Sequence, residues 1–264
     1  MFDIITKQDY WSWLQQGFIS TPTGSFYQAG GKMPAGFIHK LLARIQLIYA
    51  PPHPYELKDV QDAFILSRIQ EADGKRILEV GGGNPRLLRQ LSKNNDCWLI
   101  DKFKGAGGGP KQVPRSGNIR IVQGYMGEFL EQVPSGTFDY VFSVSVVEHV
   151  PLENLENFFV DCARVLKPLG RMLHAIDTYV FDPSRGDLMA PFRARIQAYH
   201  KYAHRPDLGI KLIQMPRVDE NLSFSCSYAT VPDNVLHQWY LNRKDDKRVY
   251  GQVVSIKSEW EKHE

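Results

Sequence analysis

The stretch Ile77-Leu78-Glu79-Val80-Gly81-Gly82-Gly83-Asn84-Pro85 constrains this chain's fold more than any other segment. An apolar run leads straight into three glycines, and a helical pattern with Leu87, Leu88 and Leu91 on one face begins just beyond. Glycine is needed where a backbone turns sharply, or where a ligand must approach the main chain with no Cβ in the way. Asn84 is expected as N-cap and Pro85 as the first helical residue, because the missing N–H of proline costs nothing there. Asp101 closes the next apolar run, Trp98-Leu99-Ile100, twenty residues after Gly81. In a doubly wound sheet adjacent strand ends meet in one crevice, so this carboxylate is expected to face the glycine turn, where it can accept hydrogen bonds from a ribose diol. A tight turn or a capping aspartate would explain either feature singly, but not the pair.

The surrounding pattern fits. Short strands are expected at Arg76 to Val80, Cys97 to Ile100, Ile119 to Val122, Phe138 to Val144 and Arg171 to Ile176. Helices are expected at Pro85 to Lys93 and Leu152 to Leu166, the latter stopped by Lys167-Pro168-Leu169-Gly170. Such alternation argues a parallel sheet covered on both faces. Two further helices are expected before it, Phe37 to Tyr49 and Glu56 to Glu71. Late strands at Leu222 to Ala229 and Val249 to Ser258, around a helical segment at Val235 to Leu241, suggest an antiparallel edge.

Composition excludes several classes. The 264 residues carry 32 Lys+Arg against 29 Asp+Glu, a mild balance that gives no reason to expect nucleic acid as partner. Cys97, Cys162 and Cys226 are widely spaced with no C-x-x-C, which argues against a disulfide scaffold or a cysteine zinc site. No apolar run approaches the ~20 residues that span a bilayer, so no membrane partner is expected. Met1 to Ile5 has no basic, then apolar, leader pattern, and a cytoplasmic location is the expectation. Oligomeric state is left open.

The cofactor class can be narrowed. A dinucleotide fingerprint would place a third glycine where Arg86 stands, and Lys111 is followed by Gln112, so the glycine-rich Gly105 to Lys111 is no phosphate loop. Glu79-x-Gly81-x-Gly83 instead resembles the class I S-adenosylmethionine-dependent methyltransferases of the small-molecule type. Phe138 to Val144, leading into Ser145-Val146-Val147-Glu148-His149-Val150, resembles their fourth strand and E-H-V motif. Ala163 to Gly170 is similar to their turn into strand five. The resemblance covers Arg76 to Asp177 and, less specifically, the final strands. It departs at Pro85, where the family's third glycine stands, and at Tyr125, where an acidic residue usually reads adenine. A loop from Phe103 to Gly117 replaces the usual helix, expected near the adenosine.

The resemblance implies an α/β fold: a Rossmann-like, mostly parallel seven-stranded sheet with an antiparallel last strand, a helical cap over 1–74, and a methyltransferase domain over 75–264 with a substrate-lid insertion at 178–222. It implies S-adenosylmethionine as cofactor, held by Glu79, Gly81, Gly82, Gly83, Asp101, Lys102, Tyr125, Met126 and Ser143. The acceptor is then the oxygen or nitrogen of a small molecule, a secondary metabolite or similar. His149, whose side chain titrates near neutrality, is the candidate general base, and Asp177 its partner or the acceptor's orienter. His174, three residues before Asp177, falls on the opposite strand face and reads as structural. No metal is expected, because Ser145 takes the first position of the E-x-x-E-H pattern that binds one. The rival readings are a Rossmann-type NAD-dependent oxidoreductase, which would also use Asp101, and a non-catalytic S-adenosylmethionine-binding protein.

Overall fold

The computed structural model describes residues 4–18, 57–69, 73–105, 110–115, 117–180, 194–199, 201–202, 206–214, 237–242 and 249–263. Two helices precede the sheet, α1 (Lys7–Gln15) and α2 (Leu57–Ile69). There follow β1 (Arg76–Val80), α3 (Arg86–Leu91), β2 (Asp96–Asp101), β3 (Arg120–Gln123), β4 (Phe138–Val144), α4 (Leu155–Val165) and β5 (Leu166–Val180). The last strands are β6 (Ile210–Gln214), β7 (His237–Asn242) and β8 (Val249–Lys262).

The strands form one sheet in the order β3-β2-β1-β4-β5-β8-β6, with β7 also paired to β8. From β3 to β5 every pairing is parallel, and β8 lies antiparallel to β5. The chain winds outward from β1 to β3 and then returns to place β4 beside β1. The direction of winding therefore reverses between β1 and β4, and the crevice above their carboxyl ends is where such sheets bind ligands.

Among the described residues the sheet has eight strands, where seven are expected. One edge of β8 is fully taken by β5, so β6 and β7 share the other, β7 against residues 249–254 and β6 against 259–262. Between them Ile4 bridges Ile256 and the Ile5 N–H donates to the Ser255 carbonyl, 2.9 Å away, so the amino-terminal segment fills the gap. The helix expected at Val235 to Leu241 is instead β7; Trp239, Tyr240 and Leu241 suit a strand, and pairing with β8 decides the matter. Ile210–Gln214, inside the expected lid insertion, is a sheet strand. The expected helix at Phe37 to Tyr49 and strand at Leu222 to Ala229 lie outside the described residues.

Period-two alternation sorts the strand residues into two cores. On one face Leu78, Val80, Met172 and Ile176 pack with Phe158 and Phe159 of α4 and with Trp260. On the other, Ile77, Phe142, Leu173 and Ala175 pack with Val60, Phe64 and Ile65 of α2 and with Leu87 and Leu88 of α3. Trp13 of α1 lies 5.8 Å from Phe64, ring centre to ring centre, and joins this second core. Glu79 and Asp177 share the parity of the second face. They therefore point toward α2.

Candidate active site

The glycine turn has the backbone its sequence requires. Gly81 and Gly83 sit at φ 66° and 55°, in the left-handed region. A Cβ on Gly81 would stand 2.8 Å from the methyls of Val146, just past β4, so the turn and the end of β4 touch across the switch point. A Cβ on Gly82 would fall 2.3 Å from the Glu79 carboxylate, which is folded beneath the turn. Neither Glu79 oxygen accepts a hydrogen bond among the described residues. Burial pushes this carboxyl up to about 8, with the Arg86 charge opposing the rise and those of Asp62 and Asp101 adding to it.

Asp101 meets the turn as the sequence predicts. Its Oδ2 accepts the Gly83 N–H at 3.0 Å and its Oδ1 accepts the Phe103 N–H at 2.7 Å. A carboxylate has about four acceptor sites, so two remain for a diol. Pro110 of the following loop lies against Gly83, closing over this edge.

The helix after the turn differs from expectation at its start. Pro85, not Asn84, occupies the N-cap position, with no side-chain capping bond, and Arg86 is the first helical residue. Arg86 sends its guanidinium to α2, donating to both oxygens of fully buried Asp62 at 2.6 and 2.5 Å. This bidentate pair ties the amino-terminal cap to the glycine turn. Removing one partner would strand the other charge, a loss of roughly 3–5 kcal/mol.

A second polar cluster, which holds the expected His149 and Asp177, stands at the ends of β4 and β5. Ser145, with φ 52°, leaves β4 in the left-handed region, and its hydroxyl lies 2.9 Å from both Gln61 Oε1 and Asp177 Oδ1. Gln61, buried on α2, donates from Nε2 to Asp177 Oδ1 at 2.6 Å and to Ser255 Oγ at 3.0 Å. One oxygen of Asp177 is thus clamped by two side chains. The short 3₁₀ turn Val147–His149 then carries Glu148 inward and His149 outward. The Glu148 side chain is only 8% exposed, that of His149 56%, and His149 Nε2 stands 3.9 Å from Glu148 Oε1. Burial holds the imidazole below its ordinary range despite the opposing charge of Asp177, so it is neutral at pH 7. Lys58, one helical turn before Gln61, is also pulled down by burial, an effect opposed by the charges of Asp177 and Glu148. Arg195, in a helical stretch at 194–199, donates to the Val147 and Val150 carbonyls at 3.1 and 2.8 Å and pins the turn.

Two expected cofactor residues lie elsewhere. Ser143 is fully buried and bonds His174 Nδ1 at 2.7 Å, on the α4 face of the sheet. Met126 is buried in the same core as Phe158. Neither side chain reaches the crevice. Tyr125 is 39% exposed, and Lys102 is exposed at the end of β2. His174 is structural as expected, enclosed by Phe158, Phe159 and Trp260. Lys58, Gln61 and Asp62 were not foreseen. Their i, i+3, i+4 spacing makes a polar stripe on an otherwise apolar helix, which is the signal that marks them.

Residues 78–174 match the family model for a methyltransferase domain. A comparison with curated proteins found no match. Among solved structures there is similarity to a protein assigned as a sarcosine dimethylglycine methyltransferase in Galdieria sulphuraria, at 17% identity and TM-score 0.43, over 60% of this chain and 62% of that one. Phosphoethanolamine N-methyltransferase 2 of Haemonchus contortus, in complex with S-adenosyl-L-methionine, is 15% identical with TM-score 0.46 over 76% of this chain and 51% of that one. The N-methyltransferase NodS of Bradyrhizobium japonicum, bound to S-adenosyl-L-homocysteine, is 10% identical with TM-score 0.45 over 85% of this chain and 98% of that one. The chain thus spans about three fifths of the first and half of the second. Such distant likenesses say nothing about the acceptor. Residues 78–174 thus match a methyltransferase domain, and they lie in a mostly parallel sheet with an antiparallel β8 and a glycine turn facing Asp101.

Proposed function

We propose that the chain transfers a methyl group from S-adenosylmethionine to an oxygen or nitrogen of a small molecule. The observation that carries this reading is the pairing of Asp101 with the Gly83 backbone at the switch point, beside a proton-handling cluster at the ends of β4 and β5. The donor set suits the cofactor: Asp101 keeps acceptor sites for the ribose, and the glycine turn that it braces through the Gly83 N–H runs beside those sites. Tyr125 and Lys102 are the exposed side chains on the adenosine side. When bound, the cofactor supplies an electrophilic methyl group on a sulfonium. The chain's own task is alignment and proton removal. His149, neutral at pH 7, takes the acceptor's proton, and Asp177, held by Gln61 and Ser145, orients the acceptor. Among the described residues of the amino-terminal segment, Lys58 and Gln61 of α2 stand beside Asp177 and complete the acceptor side.

Titration calorimetry of S-adenosylhomocysteine against NAD tests the reading. Micromolar binding of the first and none of the second is expected. The reverse order would assign a hydride-transferring enzyme instead.

A further inference from the structure

Glu148 is a group at the acceptor side whose chemistry the reading above leaves unused. Its side chain is nine-tenths buried, and among the described residues neither oxygen meets a hydrogen-bond donor at bonding geometry. A buried carboxylate without partners is costly, and one turned toward a ligand crevice has a partner that arrives from outside. Asp177 presents a second carboxylate beside it, with one oxygen fixed by Gln61 and Ser145. Two acidic groups converging in a closed space suit a cationic donor of hydrogen bonds.

We propose that Glu148, with Asp177, recognises the acceptor as a protonated amine, so that the acceptor atom is nitrogen. This rests on the methyltransferase reading and narrows it. The ammonium donates to the unpartnered Glu148 oxygens and gains the charge of Asp177. Before transfer it must lose one proton, and His149 Nε2, 3.9 Å from Glu148 Oε1, is the adjacent neutral base. The freed lone pair forms the new N–C bond as the methyl carbon's bond to sulfur breaks, its electron pair staying on sulfur. The products are a methylated ammonium, a neutral thioether and a protonated His149.

The charges around Glu148 agree with this. Burial first, and then the Asp177 charge, push its carboxyl up to about 8; its own backbone N–H, the Lys58 ammonium and the Asp177 N–H counter part of the rise. Tyr199, from the helical stretch that carries Arg195, faces the same carboxyl and is itself pushed up by burial. At pH 7 Glu148 therefore holds a proton. An entering ammonium takes the place of that proton and leaves the cluster's charge unchanged. A neutral alcohol has no such exchange to make.

The test uses the protein saturated with S-adenosylhomocysteine, whose own binding is measured first. If that binding fails, the methyltransferase reading falls, and not this proposal alone. Benzylamine and its isostere benzyl alcohol are then titrated at pH 7 in phosphate and in Tris, whose ionisation heats differ. Benzylamine should bind at least tenfold more tightly than the alcohol and release about one proton per molecule bound. Glu148→Gln should abolish the preference and the proton release while leaving S-adenosylhomocysteine affinity unchanged. Glu148→Asp, which keeps the charge, should restore part of both. Equal binding of amine and alcohol, no detectable amine binding, or a preference that survives in Glu148→Gln would each overturn the proposal.

Discussion

Two halves of one crevice are built in opposite ways. At the proposed cofactor edge, the defining contact joins Gly83, in the turn after β1, to Asp101 at the end of the neighbouring β2, 18 residues away. At the acceptor side, Gln61 reaches Asp177 across 116 residues and Ser145 across 84. The first is a property of one βαβ unit. The second exists only when the amino-terminal cap has docked on the finished sheet, through the Asp62–Arg86 pair and the packing of Val60 and Phe64. A fold can thus keep a fixed cofactor edge while a separate element sets what is methylated.

The comparison predicts which variants separate the two functions. His149→Ala should show the largest effect: turnover lower by about 10²–10⁴-fold, with S-adenosylhomocysteine affinity almost unchanged, because only proton removal is lost. Turnover near that of the native protein would reduce the chain's contribution to alignment alone.

A smaller effect sharpens the cofactor half. Glu79 has a folded-state pKa of about 8 against an ordinary 4.5. A group raised in this way contributes stability that is fully present below 4.5 and is lost as pH rises toward 8. Between pH 7 and 8 it alone sets a slope that falls from about 1.2 to about 0.7 kcal/mol per unit. Glu148 acts with the same sign, and Lys58, lowered by burial, with the opposite one. Melting temperature of the unliganded protein should therefore fall over this window, and Glu79→Gln should flatten the fall. An unchanged slope in Glu79→Gln would mean that the carboxyl beneath the turn is not held protonated.

The same division decides what the sequence revealed. Arg76–Val80 and Phe138–Val144 have the predicted bounds, because apolar runs ending in turn residues define buried parallel strands locally. Asp101 and the glycines were legible for the same reason. Ser143 and Met126 were misplaced on the crevice: which face a side chain takes at a strand end or in the turn after it depends on register and on packing with α4. The segment at His237–Asn242 reads equally well as helix or strand until β8 offers it an edge. Gln61 and Lys58 belong to a helix whose partners lie far along the chain, and nothing in their neighbourhood names Asp177. Arg86, which in the sequence only breaks the dinucleotide fingerprint, binds Asp62 of α2.

The central claim is that the glycine turn and Asp101 form the cofactor edge, and calorimetry of S-adenosylhomocysteine on the native protein and on Asp101→Ala tests it most directly. Asp101 anchors the Gly83 and Phe103 backbone, and in the proposed reading its remaining acceptor sites take the ribose. Charge-assisted hydrogen bonds contribute about 1.5–3 kcal/mol each, so affinity should fall at least tenfold in Asp101→Ala. Equal affinity in the two proteins would contradict the assignment.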